Sequence, residues 1–472
     1  MNILLIYPRS GYKNTRSVFP PLGLLYLAAI ARKHGYGVSL HDMIYQDNPE
    51  IAQDQLRNID IVGVSFSTSL AHGAYDVLKK IKNMKPEVRC IAGGPHPTVD
   101  AEECLRKGFD TVVIGEGEHT FIELMQKMGS SDSLHSVHGI AFLENNKVVF
   151  TPPRALIGNL DELPFPARDL IDWSIYDKAD SPITVITGRG CPYRCLFCKP
   201  MQEKLFGKEI RRRTPSNVVD EIQGIEKETK LPNHIICFVD DTFLLSRDWI
   251  GSFCNEIKKR GVKIRWVCQA RIDNINTELL EIIKEAGCLT ISMGVESGSQ
   301  KILDFLRKDT KVKDIIRAFD LCRIAGLSTH AYIIVGSPME TKKDLDDTVR
   351  LIKRIRPSSV GVSRLTPTKG SDLYEYSVAR GLLTINSYEE YDYYRSNAYP
   401  LRLSYVSKKE LEQYTNTIQN IVWKENFKIR MWDLISNPLY LKEFVVTIFQ
   451  DPKLAIMKIK RTMVRLLTNA FG

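Results

Sequence analysis

Short apolar runs rich in β-branched residues alternate along most of the chain with stretches in which apolar residues recur every three or four positions. Up to about residue 130, Asn2–Tyr7, Gly37–Asp42, Ile59–Phe66, Val88–Gly93 and Asp110–Ile114 read as strands. Pro21–His34, Ala71–Asn83, Thr98–Lys107 and His119–Lys127 read as the helices between them. This alternation predicts an α/β fold, a Rossmann-like doubly wound parallel sheet over residues 1–150, with ligands at the carboxyl ends of its strands. Ala141–Val149, with the polar turn Glu144–Lys147, predicts a hairpin, and the prolines of Leu160–Arg168 mark a linker over 151–180. From Pro182 the alternation resumes, with strands at Ile183–Thr187, His234–Asp240, Ile264–Ala270, Leu289–Val295, Thr329–Gly336 and Ser359–Leu365. Thr214-Pro215 makes an N-cap and first-turn pair for the helix at Val218–Lys227. Six βα units fall short of the eight that close a barrel, so residues 181–381 predict a (βα)6 partial TIM barrel with its site at the carboxyl strand ends.

Past Gly381 the pattern changes, and residues 382–472 predict a small, mainly helical region. The tyrosine-rich, acidic Tyr388–Tyr394 suits a lid over the barrel mouth. Asp451–Leu467 mixes apolar residues with five cations and one acid. It reads either as a helix docked on the core with a solvated basic face or as an interfacial helix on anionic lipid, and its neighbours Trp423 and Trp432 do not decide between them. The 43% hydrophobic and 26% charged composition of the 472 residues is that of an ordinary globular protein. Met1–Tyr7 runs straight into an apolar strand without a cationic leader, and no apolar run reaches about 18 residues, so neither a signal peptide nor a spanning helix is expected. A cytoplasmic protein is expected, with membrane contact only at its periphery. The net charge of +9 is spread along the chain, apart from Arg211–Arg213 and the tail, which speaks against nucleic acid as a partner.

Cysteine usage changes the picture most. Seven of the ten cysteines lie scattered through apolar patterns (Cys90, Cys104, Cys237, Cys254, Cys268, Cys288 and Cys322) and read as buried small hydrophobes. The other three, Cys191, Cys195 and Cys198, lie together in Gly188-Arg-Gly-Cys-Pro-Tyr-Arg-Cys-Leu-Phe-Cys198, after the first barrel strand. Three thiols in one tight loop suit three irons of a cubane and leave the fourth iron without a protein ligand, which points to chemistry at the metal rather than electron transfer alone. The alternative is a three-cysteine zinc site, but structural zinc takes four protein ligands and no histidine or cysteine lies close enough in sequence to complete one. Cys-x3-Cys-x2-Cys with an aromatic residue, Phe197, before the last cysteine resembles the signature of the radical S-adenosylmethionine (SAM) superfamily.

Later strand ends extend that resemblance. It implies that Asp240 and Asp241 reach the amino group of SAM, a carboxylate facing an ammonium. Arg271 would meet the methionine carboxylate, Glu296 the ribose hydroxyls, and the segment around Gly336 the adenine.

In the first sheet, Ser65, Ser67, Thr68 and Leu70 follow the third strand, Gly93 and Gly94 the fourth, and Gly115 and Glu116 the fifth. None of these turns is a Gly-x-Gly-x-x-Gly fingerprint, so a nicotinamide or flavin is disfavoured. Together they resemble the cobalamin-binding domain upstream of many radical SAM enzymes, and the whole resembles class B radical SAM methyltransferases and the related anaerobic magnesium-protoporphyrin cyclase-type family. The Asp-x-His-x-x-Gly loop of many cobalamin proteins is absent: the residues after the first strand read Pro8-Arg-Ser-Gly-Tyr-Lys-Asn-Thr, so no axial histidine is assigned. His96 and His119 lie at strand ends but read more simply as turn histidines.

The resemblance implies a [4Fe–4S] cluster on the three cysteines, cleavage of SAM to a 5′-deoxyadenosyl radical, and a methyl group carried by cobalamin to an unactivated carbon. It also implies a small-molecule substrate, hydrophobic in character (isoprenoid, lipid or tetrapyrrole), and an electron donor such as flavodoxin or ferredoxin. Alternatives are a radical oxidative cyclase or rearrangement enzyme without methyl transfer, a SAM-only enzyme with an empty first domain, and a non-catalytic iron–sulfur or corrin sensor.

Overall fold

The computed structural model describes residues 1–9, 19–43, 51–128, 133–178, 181–199, 201–229, 231, 234–384, 400–403 and 405–436. The expected lid at Tyr388–Tyr394 and the basic segment Asp451–Leu467 lie outside the described residues, as does most of the loop after the first strand.

The first unit is a seven-stranded sheet: β1 (Asn2–Tyr7), β2 (Gly37–Asp42), β3 (Ile61–Ser65), β4 (Arg89–Gly93), β5 (Thr111–Val113), β6 (Ile140–Glu144) and β7 (Lys147–Phe150). Its order is β2-β1-β3-β4-β5-β6-β7, parallel through β5. The expected hairpin is present, but it is not a separate appendage. β6 pairs antiparallel with β5 and extends the sheet, while Asn145 and Asn146 take the left-handed conformation that a two-residue hairpin turn needs. Successive strands are added to one side of β1 (β2) and then to the other (β3, β4), which puts the topological switch point between β1 and β3. The sheet buries both faces. Ile6, Val62, Val64 and Ala92 point to one core, and Ile3, Leu5, Ile61 and Ile91 to the other. The helix expected at Thr98–Lys107 is two helices, Pro95–Val99 and Ala101–Arg106, broken where Asp100 leaves helical geometry.

The second unit contains β8 (Ile183–Val185), the short pair β9 (Gly188–Arg189) and β10 (Arg211–Arg212), then β11 (Ile235–Phe238), β12 (Arg265–Ala270), β13 (Cys288–Glu296), β14 (Ser328–Val335) and β15 (Ser359–Arg364). Six of these form one parallel sheet in the order β15-β14-β13-β12-β11-β8, and β8 and β15 are not paired to each other, so the barrel is open. Stacked Phe238 and Phe243, 4.5 Å apart, and buried Trp266 and Phe253 fill the layer between sheet and helices.

The helix Lys408–Ser436 packs along the β15 edge. Tyr414 donates to Asp346 (2.8 Å), and Asn426 donates to the carbonyl of Ser358 (2.7 Å). An edge strand that would otherwise offer unpaired backbone groups is thereby covered. Among the described residues no helix is long and apolar enough to cross a membrane. All ten cysteines are free, and the seven scattered ones are buried as expected.

Candidate active site between the two sheets

β9 and β10 pair antiparallel, so the loop that bears the three cysteines leaves and returns at one place. Gly190 makes this turn possible: its φ is +101°, and a Cβ there would lie 2.1 Å from the Glu209 carbonyl oxygen. Beyond it the backbone is pinned to the barrel, Leu196 N–H donating to Leu306 and Leu373 N–H to the carbonyl of Leu196 (2.9 and 3.0 Å). Lys199 reaches back to the Cys191 carbonyl (2.8 Å) and to Gln202 (2.7 Å). Cys195 is buried, Cys191 and Cys198 are half-buried, and Phe197 packs against a small apolar cluster with Leu196, Ile302 and Leu365.

Burial raises the Cys191 thiol and pushes Cys198 up to about 12, with Asp241 and the neighbouring cysteines adding to the effect. Both shifts favour the protonated thiol of Cys191 and Cys198, which a bound metal cation would reverse. Among the described residues no three His, Cys, Asp or Glu side chains converge as a single metal ion requires. That weakens zinc. A cubane, in which each thiolate takes a different iron, fits three thiols presented by one anchored loop.

The strand-end residues diverge in their roles. Asp240 is not free at the mouth. It is buried, accepting from Thr187 N–H (2.7 Å) and the Thr187 hydroxyl, with Arg212 at 3.6 Å, and burial pushes its carboxyl up to about 6. The resemblance implies a SAM contact for Asp240; here its oxygens tie the end of β11 to the end of β8. Asp241 is exposed at the mouth, where it accepts from Gln202. Arg271 stacks 3.6 Å over the Tyr193 ring and donates to Asp273 (2.8 Å) and the Lys308 carbonyl (2.6 Å), leaving Nη1 toward Cys195 Sγ at 3.8 Å. Glu296, at φ +60°, ends β13 with Oε1 held by buried Lys308 (2.6 Å), so only Oε2 remains for a ligand. Gly336, at φ +89°, begins a turn whose N–H donates to the buried Glu340 carboxylate (2.6 Å).

A cavity of about 420 Å³ opens at the β1–β3 switch point. Ser65, Gly93, Gly94, Gly115 and Glu116 line it from the first sheet, and Ile186, Arg189, Leu205, Phe206 and Val239 from the second. Gly94 has φ +95°, and a Cβ there would sit 2.7 Å from Ser65 Oγ. Three expected residues are off this lining. Ser67 bonds Ser69, Thr68 bonds the fully buried His96 (3.2 Å), and Leu70 joins the core. The other candidate histidine, His119, is exposed on a helix.

Glu116, on the cavity lining, is also held by ion pairs. Its carboxylate accepts from Arg189 (2.9 Å), Arg211 (2.9 Å) and Ile157 N–H (2.8 Å), and Glu118 accepts a second bond from Arg189 (2.5 Å). Burial works against ionisation of Glu116, but the two guanidiniums outweigh it and hold the carboxyl below its ordinary range. Arg213 likewise pairs with buried Glu221, and Arg212 lies 4.8 Å over the Trp249 ring. The run Arg211–Arg213 is thus internal, not a basic surface. Lys308, Glu340, Tyr193 and Arg189 carry no motif signal. Each is recognised only by a partner distant in sequence or by a turn.

Residues 12–125 match the family model described as B12 binding domain, and residues 185–352 that of the radical SAM superfamily. An uncharacterized methyltransferase of Pyrococcus horikoshii is 34% identical over 402 residues, 83% of this chain and 86% of that protein. The anaerobic magnesium-protoporphyrin IX monomethyl ester cyclase of Rubrivivax gelatinosus is 29% identical over 79% of this chain and 70% of the cyclase. Among solved structures, the radical SAM methyltransferase TsrM from Kitasatospora setae, with cobalamin and a [4Fe–4S] cluster bound, superposes with a TM-score of 0.68 at 17% identity, covering 90% of this chain and 88% of that one. The cobalamin-dependent radical SAM enzyme OxsB, with aqua-cobalamin and SAM bound, gives 0.73 at 17% identity, covering 99% and 75%. The two matched models, in this order, and a relative above 30% identity along most of both chains establish that the chain belongs to the radical SAM proteins that carry an amino-terminal B12-binding domain.

Proposed function

We propose that the chain is a cobalamin-dependent radical SAM C-methyltransferase acting on an unactivated carbon of a hydrophobic small molecule. Family membership brings three cofactors, a [4Fe–4S] cluster, SAM and cobalamin. The observation that carries the reading is the shared cavity, walled by strand ends of both sheets and reaching Arg189, two residues before Cys191. A methyl carrier in the first sheet and a radical source in the second need such common space.

In this reading residues 1–150 hold the corrinoid, 151–180 link and 181–381 hold cluster and SAM, while the helix Lys408–Ser436 of the C-terminal region 382–472 covers the barrel edge. When bound, the cluster supplies one electron, drawn from a donor such as flavodoxin or ferredoxin, to cleave SAM, and cobalamin supplies the methyl group. Cys191, Cys195 and Cys198 are the cluster ligands. Asp241 accepts from the SAM ammonium, and the free oxygen of Glu296 accepts from a ribose hydroxyl while Lys308 fixes its partner oxygen. The left-handed turn at Gly336, braced by Glu340, presents backbone to the adenine. Apolar walls such as Leu205, Phe206 and Val239 exclude water from the reacting carbon.

The cyclase relatives favour a second reading, radical cyclisation without methyl transfer, and make a tetrapyrrole the first substrate to try before isoprenoids and lipids. Turnover with SAM separates the two. Methylation yields both S-adenosylhomocysteine and 5′-deoxyadenosine, whereas cyclisation yields only the latter. Substrate-dependent 5′-deoxyadenosine without S-adenosylhomocysteine refutes the methyltransferase.

A further inference from the structure

The buried charge cluster at the junction of the sheets does more than hold them together. Arg189, Glu116 and Glu118 are 7%, 7% and 5% exposed, and all three line the cavity. Glu116 sits on the turn after β5, whose Gly115 also faces the cavity, Glu118 lies in the first turn of the helix Gly117–Met128 that follows, and Arg189 is the last residue of β9, joined to Cys191 through the constrained Gly190. The Arg189 guanidinium is enclosed by the rings of Tyr26 and Phe206, each 5.8 Å away. Arg211, on the paired strand β10, ties the same Glu116 to the carbonyls of Ile157 (2.6 Å) and Phe206 (2.8 Å).

Stability alone does not account for such a cluster, because apolar side chains of equal volume commonly serve as well or better in a buried position. What charges at fixed hydrogen-bond distances supply is register: the β5 turn and the root of the cysteine loop cannot move independently. We infer that Arg189 is a positioning residue that couples the two cofactor sites, so that filling the cavity with a corrinoid and loading the cluster loop favour each other. A ligand on either side that shifts this shared wall toward its own binding position shifts it for the other site as well, so the second ligand meets the wall already in place. Coupling of this kind is reciprocal and typically changes affinity by about five-fold or more.

The inference rests on the corrinoid reading of the cavity, and one titration keeps the two apart. Hydroxocobalamin is titrated by absorbance into full-length protein, cluster-free and cluster-reconstituted. In the native protein the reconstituted form is expected to bind about five-fold or more tightly, with the ratio falling to about one in Arg189→Met. Glu118→Gln, which leaves Arg189 on Glu116, is expected to lower the ratio and serves where Arg189→Met does not fold. Equal affinity of the two native forms, or an undiminished ratio in the folded variants, overturns the coupling. Failure of hydroxocobalamin to bind either form overturns the corrinoid reading itself.

Discussion

The pair Glu296–Lys308 offers the sharpest test of how the barrel mouth is built. Both groups are buried, and the ammonium stands 2.6 Å from the carboxylate. Burial alone would lower the Lys308 ammonium, but Glu296, with Cys195 behind it, more than reverses that and raises it. Lys308→Met removes the cation and leaves a buried carboxylate without its counter-ion. Losing one partner of a buried pair costs about 3–5 kcal/mol. Urea unfolding of cluster-free protein at pH 8 is expected to show a loss of that size. Adding Glu296→Gln removes the unpaired charge and should restore most of the stability. A loss below about 1 kcal/mol, or a double variant no more stable than the single one, would refute the pairing as drawn.

The adjacent aspartates at the end of β11 should separate cleanly. Asp240→Asn turns an acceptor of the Thr187 N–H and hydroxyl into a partial donor, which is expected to cost about 1–3 kcal/mol in unfolding. Asp241→Asn should leave stability unchanged and weaken SAM binding in equilibrium dialysis, and the reverse pattern would exchange their roles. Burial pushes the Glu340 carboxyl up to about 7 against the pull of the Gly336 and Ser337 N–H groups. The folded chain therefore binds this proton more tightly than the unfolded chain, whose carboxyl titrates near 4.3, and Glu340 makes stability fall as pH rises between about 4.3 and 7. Glu340→Gln should gain stability relative to the native protein from pH 5 to pH 8, and parallel pH–stability curves would contradict this.

The strands were legible because each is an apolar run bounded by glycine, proline or polar residues, and the six parallel barrel strands fall within a few residues of their expected bounds. β9 and β10 were not legible, since two-residue strands have no periodicity, yet they form the base of the cysteine loop. The attachment of β6 to β5 was also hidden, because a hairpin has the same local pattern whether or not a sheet accepts it. Asp240 and Asp241 show another limit. Adjacent residues at a strand end point to opposite sides, and which of them faces the mouth depends on register with β8. Glu116 sits in a glycine turn at a strand end, which marks it as facing a ligand site, and it does line the cavity. Its ion-pair partner Arg189 lies 73 residues away and is found only in three dimensions.

The central claim is that one chain carries a SAM-cleaving cluster beside a corrinoid. The most direct measurement is the iron and corrinoid content of full-length protein purified without oxygen, reconstituted with iron and sulfide, and incubated with hydroxocobalamin. Roughly four irons and one corrinoid per native chain are expected, with Cys195→Ala losing the iron and SAM cleavage while its first sheet stays folded and keeps a corrinoid site. Iron retained by Cys195→Ala, or a native chain that takes up no corrinoid, would contradict the account.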